Sequence, residues 1–392
     1  MPSDPQRPKR LKWKWGLAFL LAGGLVVLYW NSDLILFPRS QTATVLLLDD
    51  CDDDFRTGPF KDALVAFPPG RASLRITSDL NICQTIGGGR SLAVSPDGRM
   101  LLVCENVAHH LSAFDLGTGR RVWRVDGEYT AVTAAPDGLI YAIISNGTIY
   151  GDRTVVIDRD GRIVKSGSPA GFDMVLDTNR NALWLVGKFI KKCDLNLDPL
   201  LELAPIKWCG AAVDLDADGS IWVAERDHPD VKQSTNRLFR VSADGQIQKS
   251  IPLPFSPFCL RIDRADHSIW VTGVGTREPV SKAMLAAVEQ RVGSLPLGKW
   301  LREWLTARRY WHQTTKYDPE GKLLCDVGEG GHSLDIQQSD GSVWLAAKDK
   351  IYRFSREGKK IAKLTGMSAG QKYVVVVPEA GGRTNPPGIA HE

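Results

Sequence analysis

The sequence predicts an all-β fold, a β-propeller of six four-stranded blades, on three observations. One unit recurs between about residues 88 and 366. Its first-turn positions, Asp97, Asp137, Arg180, Asp218, Asp266 and Asp340, are 40, 43, 38, 48 and 74 residues apart. Its turns carry Asp-Gly or Asn-containing pairs between runs of Val, Ile, Trp and Tyr. A period near 40 with four strands per unit marks propeller blades, and the 74-residue interval marks an insertion.

Each element has a local cause. Asp-Gly and Asn turns supply the positive φ that tight hairpins need, and the alternating apolar runs beside them read as half-buried strands. First turns lie in SLAVSPDGRMLLV (91–103), TAAPDGLIYAI (133–143), MVLDTNRNALWLV (174–186), AAVDLDADGSIWVA (211–224), LRIDRADHSIWVT (260–272) and SLDIQQSDGSVWLA (333–346). Trp184, Trp222, Trp270 and Trp344 fall at one place in four units, the place of a blade-packing side chain. Segments 43–48 and 72–87 precede the first unit and 372–378 follows the last. They either complete the sixth blade or build a seventh from both ends, and either route removes open sheet edges.

The chain has 392 residues, 43% hydrophobic and 24% charged, with a net charge of +4. That composition is globular, and the weak charge argues against a nucleic-acid partner. The seven cysteines form no CxxC pair, which excludes a zinc ribbon or a thioredoxin-like site. Cys209 and Cys259 enter adjacent inner strands, as a packed pair or, in an oxidising compartment, a disulfide.

Residues 15–30 (WGLAFLLAGGLVVLYW) carry no charge, and Leu34–Phe37 extends them to an anchor over 15–37 of spanning length. Arg7, Lys9, Arg10, Lys12 and Lys14 precede the run, so the positive-inside rule places tail 1–14 in the cytoplasm and the propeller, 38–380, across the membrane. Residues 381–392 form a C-terminal tail. A cleaved signal peptide is the rival reading, but no small-residue cleavage site follows the run.

The fifth unit holds a predicted helical insert, 278–312. Leu297, Trp300, Leu301, Trp304 and Leu305 have helical spacing. With Arg302, Arg308 and Arg309 they make segment 297–310 either a basic amphipathic helix for a membrane interface or partner, or a cap packed on the propeller.

Propeller sites collect on the face where inner strands begin and second strands end. Inner-strand entries there include Arg90, Glu128, Asp173, Cys209, Cys259 and His332; second-strand exits include Glu105, Asn106, His109, Lys188, Glu225, Asp227, His228 and Lys348. Glu105, Glu128, Asp173 and Glu225 are the candidate ligands for a divalent cation such as Ca²⁺. His332 and Glu225 are the candidate catalytic residues, as general bases. No G-x-S-x-G elbow, HExxH or P-loop occurs.

The Asp-Gly blades resemble those of NHL and gluconolactonase-like propellers. The pair Trp270-Val271 before an insert containing WLREWL, then TTKYDPEGKLLCDV, is similar to the strictosidine-synthase-like proteins. So is RSLAVSPDGRMLLVCE (90–105). This resemblance implies six blades, one N-terminal anchor and a fifth-blade insert. It also implies a divalent ion that polarises a lactone or ester carbonyl. Cys209, in CGAAVD, stands where a gluconolactonase-like run has Asp. Two function classes follow: a membrane-anchored extracytoplasmic module binding a protein or small molecule, and a metal-dependent lactone or ester hydrolase. A third, structural reading uses the insert to recruit a membrane partner.

Overall fold

The computed structural model of the protein describes residues 45–49, 62–67, 74–80, 91–105, 109–145, 153–203, 209–226, 236–276, 287, 290, 310–347, 350–364 and 372–378. Six blades of consecutive antiparallel strands span 92–126, 128–167, 173–202, 209–252, 256–326 and 333–364. We call them blades 1 to 6, their strands first to fourth from the axis outward. A seventh four-stranded sheet draws its innermost strand, Lys372–Val376, from the C-terminal side and the other three, Val45–Asp49, Asp62–Phe67 and Leu74–Leu80, from the N-terminal side.

Of the two closures left open by the sequence, this is the second: the end segments build a further sheet rather than completing blade 6. The reason is in the pairing. Val45–Asp49 pairs with Lys372–Val376 on one edge and with Asp62–Phe67 on the other, while blade 6 already has its own four strands. Each inner strand packs against the next, and Lys372–Val376 packs against the inner strands of blades 6 and 1, so the ring is closed.

Turn chemistry explains the hairpins. In blades 1, 2, 4, 5 and 6 the turn aspartate, Asp97, Asp137, Asp218, Asp266 or Asp340, accepts the backbone N–H two residues on, at 2.8–3.1 Å. The intervening residue takes positive φ. It is glycine in four blades, but His267 (φ 58) in blade 5. Blade 3 has Arg180 in place of the aspartate and puts Asn181 at φ 48. These left-handed positions favour Gly and Asn, and His is among the more tolerant other residues.

The core lies between blades. Trp184, Trp222, Trp270 and Trp344 are 0–1% exposed, and each faces a cation across the sheet: Lys192, Arg240, Lys316 and Arg353. Lys192 Nζ lies 4.9 Å from the Trp184 ring and Arg353 Cζ 5.3 Å from that of Trp344. These cations also reach the turns: Lys316 Nζ is 2.8 Å from Asp266 and Arg353 Nη2 2.8 Å from Asp340. One layer of side chains therefore packs the blade and pins its hairpin.

Two ends of the disc are now distinct. The turn face holds the first–second and third–fourth hairpins. The loop face holds the inner-strand entries and second–third connections. Residues 277–309 join Thr276 to Tyr310, which pair at the loop face. The expected insert 278–312 ends earlier than predicted, because Tyr310, Trp311 and His312 belong to the strand Tyr310–Tyr317; consecutive aromatic residues suit a strand as well as a helix. Trp300, Trp304, Arg302, Arg308 and Arg309 lie outside the described residues, as do the anchor 15–37 and tails 1–14 and 381–392. Among the described residues no helix is long and apolar enough to cross a membrane.

Candidate functional site

Inner strands begin at the loop face and end at the turn face, so their polar side chains face the axis or a neighbouring blade. Asp173 Oδ2 accepts the Val213 N–H of blade 4 at 3.0 Å, Asp214 Oδ2 accepts the Ile262 N–H of blade 5 at 2.9 Å, and Asp335 Oδ2 accepts the Val376 N–H of the closing sheet at 2.8 Å. Between blades 5 and 6 the Cys259 thiol faces Leu334 O at 3.6 Å and Arg261 Nε donates to Asp335 Oδ1 at 3.3 Å. Burial disfavours the Arg261 charge, but its neighbours, Asp335, Asp214 and Asp173 among them, more than restore it. This is a polar seam along the ring. Cys259 is a free thiol whose burial pushes its pKa up; it is a packed cysteine, not half of the disulfide with Cys209 that the sequence left open.

The candidate metal ligands are dispersed through this frame. Glu105, buried in blade 1, accepts a hydrogen bond from Ser112 Oγ and lies 3.8 Å from Arg121. Glu128 begins blade 2, 3.9 Å from His109. Asp173 serves the seam in blade 3. Glu225, fully buried in blade 4, is ion-paired to Arg237. Each carboxylate is engaged in its own blade or with a neighbouring one. Among the described residues no three His, Cys, Asp or Glu side chains could hold a metal ion together. Glu105, Glu128, Asp173 and Glu225 therefore do not come together as one such group among the described residues. Arg90, Asn106, Asp227, His228 and Lys348 lie outside the described residues.

His332 has a different setting. A cavity of about 250 Å³ opens between blades 5 and 6 on the loop face, lined by His312, Glu329, His332, Lys350, Tyr352 and the Gly328–Gly331 segment. The glycines shape it. A Cβ on Gly330 would fall 2.2 Å from Gln313 N, and one on Gly331 would fall 2.1 Å from Ala346 O. The link from blade 5 to blade 6 can therefore lie flat against both blades only without side chains. Thr272 locks it: its hydroxyl donates to Gly331 O (2.9 Å) and accepts from Gly331 N–H (3.1 Å) and from Thr314 Oγ1 (3.0 Å).

Emerging from this link, His332 stacks on Phe258 (5.7 Å, 22°) and meets His312 edge-on (5.1 Å, 67°). Lys360 Nζ is 2.9 Å from Glu329 and 4.8 Å from the Tyr352 ring. The wall thus offers two imidazoles, a phenol and Lys350, and its one carboxylate is already paired. Among the described residues its lining includes no Ser, Thr or Cys that could act as an acyl-transfer nucleophile. Such a wall suits recognition of a small polar or anionic group.

The site residues missed by the sequence were His312, Glu329, Lys350 and Tyr352. His312 falls within the predicted insert, Glu329 and Lys350 are single polar residues in connections, and Tyr352 lies in the short strand Ile351–Phe354. The run Gly328-Glu329-Gly330-Gly331 was the one legible signal, since clustered glycines mark close backbone approach. Asp214 and Asp335 were also missed, though a lone aspartate in the apolar inner-strand runs AAVDL and SLDI was visible.

No protein-family model matches the chain, and no curated protein sequence matches it. Among solved structures, hydrazine synthase of Kuenenia stuttgartiensis is similar with a TM-score of 0.56 at 13% identity, over 76% of this chain and 97% of that one. A functionally unknown protein from Desulfotomaculum acetoxidans is similar with a TM-score of 0.58 at 10% identity, over 86% of this chain and all of that one. At such identities the likeness is one of fold alone, and it places the chain among β-propellers.

Proposed function

We propose that the protein is a membrane-anchored, extracytoplasmic β-propeller that binds a ligand or protein partner at its loop face. The observation that carries this reading is the cavity at His312 and His332. At about 250 Å³ it is slightly smaller than the usual small-molecule pocket of ~300–1,000 Å³. It therefore fits a small polar molecule or one side chain of a partner, and its imidazoles and Lys350 favour a carboxylate. The anchor and its orientation rest on residues 1–37 as read from the sequence.

The alternative, a divalent-metal-dependent lactone or ester hydrolase of the strictosidine-synthase-like or gluconolactonase-like type, rests on the resemblance of the Asp-Gly blades and the fifth-blade insert. It needs carboxylates from several blades to converge on one ion at the axis.

The test is a titration of full-length protein, labelled with ¹³C in its histidine rings, with short-chain carboxylates and with Asp- or Glu-ended peptides. Binding at the loop face shifts the His312 and His332 resonances together, and His332→Ala weakens binding without unfolding the protein. Ligands that bind but leave both resonances unmoved would place the site elsewhere.

A further inference from the structure

The turn and loop faces are chemically unlike, and the chain enters the disc at only one of them. Val45, the first residue of its strand, pairs with Val376 at the end of the innermost strand of the closing sheet. That end lies at the turn face: a Cβ on Gly98, in the first turn of blade 1, would sit 3.4 Å from Pro378 O. The segment preceding Val45 therefore leaves from the turn face. The cavity and the ends of the insert, Thr276 and Tyr310, lie at the loop face.

Only seven residues, 38–44, separate the predicted anchor 15–37 from that strand. Fully extended they reach about 25 Å. A six-residue strand such as Ile221–Arg226 already rises about 20 Å from face to face. Turning the loop face to the bilayer would consume nearly the whole tether along the side of the disc, with no length left for the loops.

A second observation points the same way. In blades 1 to 6 the fourth strand begins, within its first two residues, with an exposed aliphatic side chain: Val122, Ile163, Leu200, Ile247, Leu323 and Ile361, 43–62% exposed. All the exposed large apolar side chains of the described residues lie on fourth strands at this end. They form a girdle around the turn face, where exposed Arg162, Lys322 and Lys359 stand among exposed Asp97, Asp160, Asp244, Glu320 and Glu357. A ring of exposed aliphatic side chains suits the headgroup boundary of a bilayer, while the mixed charges beside it stay in water.

We infer that the propeller stands with its turn face on the lipid bilayer and its His312–His332 face directed away from it. The inference rests on the anchor proposed above. It makes the loop face free to meet a soluble ligand or a partner approaching from outside.

The experiment uses full-length protein in vesicles of phosphatidylcholine and phosphatidylglycerol, with a dye on an unnatural amino acid at Gln246 (turn face) or at Asp126 (loop face), both exposed. Headgroup spin-labelled lipid quenches at short range. Expected is co-flotation with the vesicles and several-fold stronger quenching at Gln246 than at Asp126. The double variant Ile247→Ser/Leu323→Ser, labelled at Gln246, should float equally and be quenched less; unchanged quenching would remove the girdle from the contact. Co-flotation with stronger quenching at Asp126, or equal quenching at both sites, overturns the orientation while leaving the anchor standing. Failure to float overturns the anchor and the orientation with it.

Discussion

Replacing Asp335 with Ala should loosen the closure of the ring. Asp335 is the side chain through which blade 6 holds the C-terminal strand: Oδ2 accepts the Val376 N–H at 2.8 Å, and Oδ1 receives Arg261 Nε at 3.3 Å. Val376 is 8% exposed, so its stranded N–H costs about 1–3 kcal/mol. The Arg261 and Asp335 side chains are 14% and 18% exposed; losing a pair between the surface and buried limits costs about 1–2 kcal/mol. Together Asp335→Ala should lose about 2–5 kcal/mol. Asp335→Asn keeps an acceptor for the N–H and should lose only the ion-pair part. Urea unfolding gives the global value, and amide exchange locates it. Exchange at 372–376 should quicken by at least about tenfold, tenfold corresponding to 1.4 kcal/mol, before the core strands of blades 3 and 4 respond. An Asp335→Ala protein with the wild-type midpoint and unchanged exchange at 372–376 would refute the reasoning.

Other consequences can be checked separately. His267 Nδ1 is 2.6 Å from Asp216, and this hydrogen bond raises the imidazole pKa. A raised folded-state value gives stability fully present below the unfolded pKa of about 6.5 and lost as pH rises through the folded value. The urea-midpoint difference between wild type and His267→Gln should therefore shrink as pH rises above the unfolded value of about 6.5, modestly, since the side chain is 45% exposed. Gly331→Ala places a methyl against the Ala346 carbonyl and should cost about 1–3 kcal/mol by overpacking, read as a lower thermal midpoint with altered His332 resonances. Thr272→Val leaves the Gly331 N–H unpaired and should cost about 1–3 kcal/mol in chemical denaturation. Cys104 and Cys193 are buried with pKa values pushed up by desolvation, Cys193 to about 12. Both should resist a thiol reagent in native protein and react on unfolding.

Blade periodicity was legible because each hairpin announces itself locally: an aspartate, a residue at positive φ, and a following N–H that closes the turn. The four tryptophans were legible for the same reason, recurring at a fixed distance from those turns. The closing sheet was not, because Asp62–Phe67 has no such turn beside it and Lys372–Val376 reads as an isolated apolar run; only pairing across the whole chain separates a seventh sheet from a completed sixth blade. The site followed the same divide. Sequence position correctly assigns Glu105, Glu128, Asp173 and Glu225 to strand ends at one face, but it does not say which neighbour each carboxylate meets. Ser112, Arg121, Val213 and Arg237 decide that, and three of these four lie 12 to 40 residues away from their partner. His332 was legible as an inner-strand entry, whereas its partner His312 comes from a different blade and from a segment with helical spacing.

The most direct test of the binding reading is elemental analysis of the purified full-length protein, paired with lactone and aryl-ester turnover before and after chelation. The account predicts no stoichiometric divalent metal and no chelator-sensitive turnover, with His332→Ala altering ligand binding alone. One divalent ion per chain together with turnover abolished by chelation would contradict it and restore the hydrolase.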